Sequence, residues 1–226
     1  MNRIIIVVAL LFAAFPALTQ EKWTREGIAE KYIDLSGIVL RFSDLSGQDL
    51  SLVNLSDADL TGANFVSAKM TRTNLSKAKL IAAKLRGADL RYSSLSGADL
   101  THADMRRADI RYADLSDANL SGAKLWGADM RAADLRRTDM RYADLRVAAL
   151  SLSDLSSANL KSADLRAADL SFANLSNADL MSADLRVADL TSANLTGAIF
   201  DNNTVLPDGS NWTPETDMRQ FTDSSD

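Results

Sequence analysis

A chain of 226 residues with no cysteine and a single histidine excludes several functional classes at once. Without cysteine there is no disulfide framework, no thiolate metal site, no cysteine nucleophile and no lipid-modified N-terminal cysteine. The formal net charge of −5 and the hydrophobic content of 46% fit one folded domain with a substantial core.

The N-terminal segment 1–20, MNRIIIVVALLFAAFPALTQ, resembles a secretory signal. One arginine precedes an apolar run from Ile4 to Phe15, which is too short to span a bilayer comfortably as a mature helix. We expect cleavage near Ala17-Leu18-Thr19, and the mature chain in the periplasm or outside the cell. An uncleaved membrane anchor is the alternative, and only then would a membrane be a partner.

Residues 21–32 carry Trp23, Ile28 and Tyr32 among charged residues. This pattern predicts a short helical N-terminal cap, which Thr24 would begin.

A five-residue repeat occupies residues 33–200. Every fifth residue from Leu35 to Phe200 is apolar, giving 34 positions with 27 Leu, 4 Met, 2 Phe and 1 Ile. Two residues earlier, 25 of these 34 units have Ala, and Asp or Asn usually stands between. A period of five fits neither a helix nor a plain strand, so each unit must contain its own bend. We expect the apolar residue and Ala inside, and an Asp or Asn that accepts hydrogen bonds from nearby amides and tolerates turn geometry.

Outward positions stay chemically uniform when every twentieth residue is compared. From Ser36, eight of nine such residues are Ser or Thr, and from Ser46 five of eight are Arg. Residues one coil apart are vertical neighbours, so four units should form one coil. The repeat then predicts an all-β solenoid of about eight and a half coils, roughly 40 Å long.

The unit, as in ADLRAADLSFANLSNADL, resembles the pentapeptide repeat family over Ile33 to Phe200. The resemblance implies a right-handed quadrilateral β-helix, often dimeric or capped at its ends. It implies little about function: most members have no assigned activity, and a minority protect bacterial type II topoisomerases by imitating duplex DNA.

Residues 201–226 leave the repeat with a turn at Pro207-Asp208-Gly209 and supply Trp212 and Phe221 as apolar lids. We expect an irregular C-terminal cap with an acidic tail. Docking of a partner on Trp212 or Phe221 is the alternative.

Charge argues against imitation of DNA. Residues 33–200 hold 21 Asp, no Glu and 20 Lys plus Arg, whereas duplex DNA is continuously negative. Many Asp residues have an Arg two residues on, and we expect these to form weak ion pairs: Asp104/Arg106, Asp144/Arg146, Asp164/Arg166 and Asp184/Arg186. No nucleic acid partner is expected.

One block departs from this balance. Between Asp59 and Asp89 six cations occur without an acid, and the four-unit coil distributes them over all four faces. This basic belt would attract an anionic envelope component, an acidic protein or the acidic tail of a second copy, or would serve solubility alone. It comprises Lys69, Arg72, Lys77, Lys79, Lys84 and Arg86.

A second candidate surface joins outward aromatic residues to arginines. It comprises Arg91, Tyr92, Arg111, Tyr112 and Trp126. Such residues are typical of protein interfaces, and they equally suit stacking of Tyr on Tyr and Arg on Trp between coils.

Nothing in the sequence indicates catalysis or a cofactor. His102 is the single histidine and has no companion ligand or base in a recognisable motif. The sequence therefore predicts a non-enzymatic, exported scaffold or protein-binding module of the cell envelope, with topoisomerase protection as the alternative.

Overall fold

The computed structural model describes residues 33–223. The predicted signal segment (1–20) and the predicted N-terminal cap (21–32) lie outside the described residues and stay predictions. Within residues 33–223, no helix has the length and apolar character needed to cross a membrane.

Each five-residue unit contains a hydrogen-bonded turn that begins at its central apolar residue. In one unit the N–H of Ala103 donates to the carbonyl oxygen of Leu100 at 2.9 Å. The second residue inside this turn, His102, has a φ of 57°, and a positive φ at that position alone is the mark of a type II turn. The same conformation recurs at every fifth residue from Gly37 to Gly197. The bend that the period requires is therefore present in every unit.

Successive coils are joined by single-residue parallel bridges. The Asp or Asn position of each unit pairs with the residue 20 positions later, from Asp34 with Asn54 through to Asp179 with Ile199. Backbone hydrogen bonds accompany each bridge, such as Leu100 N–H to Asn119 oxygen at 2.7 Å. Four units thus complete one coil, as the uniform outward columns predict.

The core is a continuous stack of the central residues. Every one from Leu35 to Leu190 is buried, and the Ala positions beside them are buried from Val53 to Ala193. Where a buried hydroxyl replaces Ala, it bonds to a turn carbonyl; Ser93 Oγ donates to Leu90 oxygen at 2.6 Å. No buried side-chain nitrogen or oxygen in residues 33–223 lacks a partner, so polar residues inside the coil are accommodated without loss of hydrogen bonding.

The register changes by one residue at the C-terminal end. Asp184 bridges to Val205, 21 positions later, and Val205 then pairs antiparallel with Asn211. Beyond this hairpin the chain forms the only helix of the described residues, α1 (Arg219–Thr222). Phe221 packs against the core, and Trp212 stacks on Phe200 with 5.8 Å between ring centroids.

Candidate protein-binding surface

Aspartate and arginine side chains form forked pairs on the outer surface. In one unit, Arg106 donates from Nε and Nη2 to the two carboxylate oxygens of Asp104 at 2.7 and 2.6 Å. The Arg106 hydrogen bonds hold the pKa of Asp104 below its usual range. The four predicted pairs are all present in the structure, which confirms that much of the acidic charge of the rod is neutralised locally.

All six residues of the basic belt are exposed. Three of them nevertheless stand between acidic or amide-bearing residues of the adjacent coils: Lys69 lies between Asp49 and Asp89, and Lys79 between Asp59 and Asp99. Lys84 lies between Asn64 and Asp104. Because acids lie directly above and below most of these lysines, the belt is less isolated in charge than its sequence indicates.

The two tyrosines of the second predicted surface lie together on one corner of the rod. Tyr92 and Tyr112 stack with centroids 5.0 Å apart and planes within 5°, and both are about half exposed. The guanidinium of Arg72 lies 5.8 Å from the Tyr92 ring centroid. The predicted ladder stacking of Tyr on Tyr is therefore present, and it leaves a broad aromatic surface in contact with solvent.

The two arginines of that surface are occupied by carboxylates. Arg91 forks onto Asp89, and its Nε also lies 3.5 Å from Asp109 of the next coil. Arg111 makes the equivalent contacts with Asp109 and Asp129. These arginines have charged partners within the rod and are less available to an external anion.

Trp126 is half-buried and stacks with an arginine that the sequence does not single out. The guanidinium of Arg107 lies 4.8 Å from the indole centroid, whereas the vertical neighbours of Trp126 would have been Arg106 and Arg146. The contact therefore runs diagonally between adjacent coils. The predicted Arg–Trp stacking is thus present with a different partner.

A shallow cleft of about 550 Å³ lies beside Trp126 on the same face. Its lining brings one belt residue, Arg86, together with Trp126, and it adds Arg106 and Arg107, which the sequence did not place in either candidate surface. The sequence signal was available: Lys84 and Lys124 replace the usual Asp on the same column, two coils apart. We refer to the lining as the cationic cleft, formed by Val66, Ser67, Arg86, Gly87, Arg106, Arg107 and Trp126.

His102 is exposed and lies over the glycine of the next coil. A Cβ added at Gly122 would clash with its Nδ1. Within residues 33–223, no cluster of three His, Cys, Asp or Glu side chains has the arrangement of a metal site. The geometry around His102 is that of a ring packed on a turn.

Among solved structures, similar chains include HetL, a pentapeptide repeat protein involved in heterocyst differentiation regulation from the cyanobacterium Nostoc sp. strain PCC 7120. It is 34% identical, with 80% of this chain and 92% of that chain covered and a TM-score of 0.38. A trypsin-treated form of QnrB1, a plasmid-mediated fluoroquinolone resistance protein, is 27% identical over 76% and 83% of the two chains, with a TM-score of 0.37. A third similar chain is a pentapeptide repeat protein of the Arabidopsis thaliana thylakoid lumen, which is 26% identical over 63% and 74%, with a TM-score of 0.23.

No curated protein matches the chain. The family model that matches is described as pentapeptide repeats, and its eight copies fall within residues 33–202. Proteins with this repeat fold as right-handed quadrilateral β-helices and are generally structural or binding proteins without enzymatic activity. The four units in each coil agree with a quadrilateral β-helix, and the family model matches most of the chain. The chain therefore belongs to the pentapeptide repeat family.

Proposed function

We propose that this protein is a rigid, non-enzymatic rod of the cell envelope that binds another protein through its outward columns. The observation that carries the proposal is the stacked pair Tyr92 and Tyr112, which holds two aromatic rings about half exposed on a continuous β-ladder. Aromatic residues fixed in this way lose little conformational entropy on binding and are typical of interface centres.

The backbone supports a scaffold role. Each coil is bonded to the next through every unit, and the core beneath the tyrosines is closed. A ligand that contacts this surface would meet side chains already held in place, so little reorganisation would be needed.

A photo-crosslinking experiment in the native host tests the binding surface. Tyr112→p-benzoylphenylalanine should give a discrete crosslinked partner on illumination. Tyr142→p-benzoylphenylalanine is the matched control, because Tyr142 is also exposed but lies on the opposite side of the rod, one and a half coils further along. Equal labelling at both positions, or none at Tyr112, would contradict the proposed surface.

Export is part of the proposal and depends on residues 1–20. Fractionation of the native host, with the intact mass of the purified chain, tests it. We expect a periplasmic or secreted chain shortened by roughly 17 to 20 residues. A full-length membrane-bound chain would favour the anchored alternative, and a full-length soluble chain in the cytoplasm would refute export.

Topoisomerase protection stays the alternative function. It would require a continuous negative surface, whereas forked arginines neutralise many of the aspartates along the rod. We expect no relief of quinolone inhibition in a gyrase supercoiling assay, and relief would favour the alternative.

We also propose that residues 201–223 close the last of about eight and a half coils. In support, Asp201 accepts hydrogen bonds from the N–H and Oγ of Ser182 at 2.7 and 2.9 Å, and Thr204 Oγ1 donates to Leu180 oxygen at 3.0 Å. Burial opposes ionisation of Asp201, but the hydrogen bonds that Asp201 accepts from Ser182, Thr204 and Asn203 outweigh it and lower its pKa to about 2. A homodimer would have to form elsewhere on the rod or at its other end.

A further inference from the structure

We propose that the cationic cleft binds a short acidic segment of a partner protein, with two or more Asp or Glu carboxylates. The inference rests on the proposed protein-binding function and names the chemistry of one partner site. It concerns the face that carries Arg86, Arg106 and Trp126, next to the corner of the stacked tyrosines.

The regular pairing of arginine with aspartate is interrupted on this face. Arg106, Arg146, Arg166 and Arg186 each fork onto the aspartate two residues earlier. Arg86 has Lys84 at that position and makes no ion pair with any described residue. Lys124 likewise stands where an aspartate would precede Trp126. Two carboxylates of the regular ladder are thus replaced by ammonium groups. As a result, the guanidinium of Arg86 has no carboxylate partner within the described part of the chain.

The resulting charge is concentrated. Lys84, Arg86, Arg106, Arg107 and Lys124 lie within three successive coils, and Asp104 is the one acid among them on this face, so the net charge is +4. The aspartates of the adjoining face already have partners, since Asp89 and Asp109 pair with Arg91 and Arg111. The cleft therefore presents a local positive potential in a rod that is nearly neutral.

The chemistry of the rod indicates which anion fits. Carboxylates on this face accept two parallel N–H donors from arginine, as Asp144 does from Arg146 at 2.7 and 2.8 Å. A partner carboxylate at Arg86 would make the contact that an aspartate at position 84 would make in a regular unit. The guanidinium of Arg107 lies over Trp126, 4.8 Å from the ring centroid. The apolar edge of this stacked pair would contact the methylene groups of a glutamate side chain.

The size of the patch favours a peptide over an extended polyanion. Coils are spaced by about 4.8 Å, so the ammonium groups at 84 and 124 lie on coils roughly 10 Å apart. Carboxylates at alternate residues of an extended peptide are separated by about 7 Å, which is shorter than this span, so two of them can lie within it. A lipid surface or a nucleic acid lying along the rod would instead meet the neutralised pairs at 144, 164 and 184.

A direct binding measurement with the full chain tests the inference. The probe is a fluorescein-labelled peptide with alternating Glu and Ser, and the control probe has Gln in place of Glu. Fluorescence anisotropy at physiological salt should show saturable binding of the Glu peptide alone, weakened by added salt.

Lys84→Asp is the decisive variant, because it restores the aspartate that Arg86 lacks. We expect it to weaken peptide binding by about ten-fold or more, corresponding to at least about 1.4 kcal/mol, without loss of thermal stability. Lys77→Asp is the matched control. Lys77 is also exposed and makes no ion pair with a described residue, but it lies on the opposite face, and we expect less than a two-fold change.

Three outcomes would overturn the inference: no binding of the Glu peptide, equal weakening by Lys84→Asp and Lys77→Asp, or equal binding of the Gln peptide. Inorganic pyrophosphate and vesicles of anionic lipid are run in parallel, and selective binding of either without the peptide would also overturn it. A crosslink at Tyr112 together with absent peptide binding would leave the proposed function standing and reject the acidic partner.

Discussion

At the scale of the residue, the second position of each turn has an unusual backbone. Its φ lies between about 53° and 72° in every unit from residue 37 to residue 197. Only eight of these residues are glycine, and the others include Tyr92, Val147 and Phe172. A β-branched residue in this region is sterically strained, so the coil geometry must impose the conformation against local preference.

Val147→Gly should therefore stabilise the protein. Val147 is 55% exposed with a φ of 59°, so little buried area is lost and the strain is removed. We expect the free energy of unfolding in urea to rise by roughly 0.5–1 kcal/mol.

Val39→Gly is the matched control for this prediction. Val39 is 56% exposed but lies at a bridge position without positive φ. Because glycine weakens extended structure, this change should lower the free energy of unfolding by about 0.5–1 kcal/mol. If both variants are destabilised, the strain argument is wrong.

The sequence predicts part of this local structure. Asp and Asn were expected to accept hydrogen bonds from nearby amides, and Asp34 Oδ1 does so from the N–H of Ser36 at 2.9 Å. Turn geometry was also attributed to these residues, and that was wrong. The left-handed residue lies three positions further on, at a position that holds eight of the ten glycines of the chain together with polar, aliphatic and aromatic residues, so the sequence carried a partial signal that was not used.

At the scale of the element, contacts between adjacent coils modify the pairing within a unit. Arg41 donates to Asp59, 18 residues later, at 2.7 Å, and Thr61 adds a hydroxyl donor at 2.8 Å. The Arg41 hydrogen bond is the main reason that the pKa of Asp59 falls from 3.8 to about 2. Pairs two residues apart can be read from the sequence, whereas this diagonal pair requires the coil to be known.

The Asp59 contact predicts a dependence of stability on pH. Because its pKa is lower in the folded state, the contribution is complete above about pH 4 and is lost as the pH falls towards 2. Arg41 is largely exposed, and screening by solvent therefore keeps the contribution of this pair small.

Urea unfolding of Arg41→Gln at pH 6 and pH 2 measures this contribution. We expect the variant to be less stable than the parent at pH 6 and to have lost most of this deficit at pH 2, where about half of Asp59 is protonated in the folded parent. Lys161→Gln, which removes a cation without an ion pair among the described residues, should match the parent at both values. A deficit for Arg41→Gln that is undiminished at pH 2 would contradict the assignment.

At the scale of the whole molecule, a solenoid must be closed where its ladder ends. The last coil exposes more of its core than those before it, since Leu195 and Phe200 are only partly buried. Trp212 returns over Phe200 from the hairpin that follows the repeat. Without this contact, apolar rings and free backbone groups would face solvent.

Trp212→Ala should lower the free energy of unfolding by roughly 2 kcal/mol, because it removes the ring stacked on Phe200. Chemical denaturation followed by far-UV circular dichroism measures the change. Tyr142→Ala, at an exposed aromatic on the middle of the rod, should cost less than about 0.5 kcal/mol. Similar losses in the two variants would refute a closing role for Trp212.

The overall architecture was predictable because the repeat is exact. The columns that are uniform at every twentieth residue correspond to the observed bridges, and the family was recognised from the same residues.

The candidate surface was only partly predictable. The basic belt was found as a run in sequence, but the acids above and below Lys69 and Lys79 and the contribution of Arg106 and Arg107 depend on neighbours in the adjacent coils. The extra residue in the step from Asp184 to Val205 follows from how the chain leaves the repeat, for which the pattern carries no signal.

The unbroken register of four units per coil also restricts how the gene for such a chain can change length. An insertion or deletion of one whole coil lengthens or shortens the rod and leaves each later residue on its original face. A change of one unit preserves the core but turns all later columns by a quarter of a circuit, which would separate Lys84 from Lys124 if it fell between them. A length that is not a multiple of five residues shifts polar residues to the inward positions. Inheritance of this surface is therefore compatible with duplication by whole coils, while single-unit changes supply new combinations of side chains on an unchanged core.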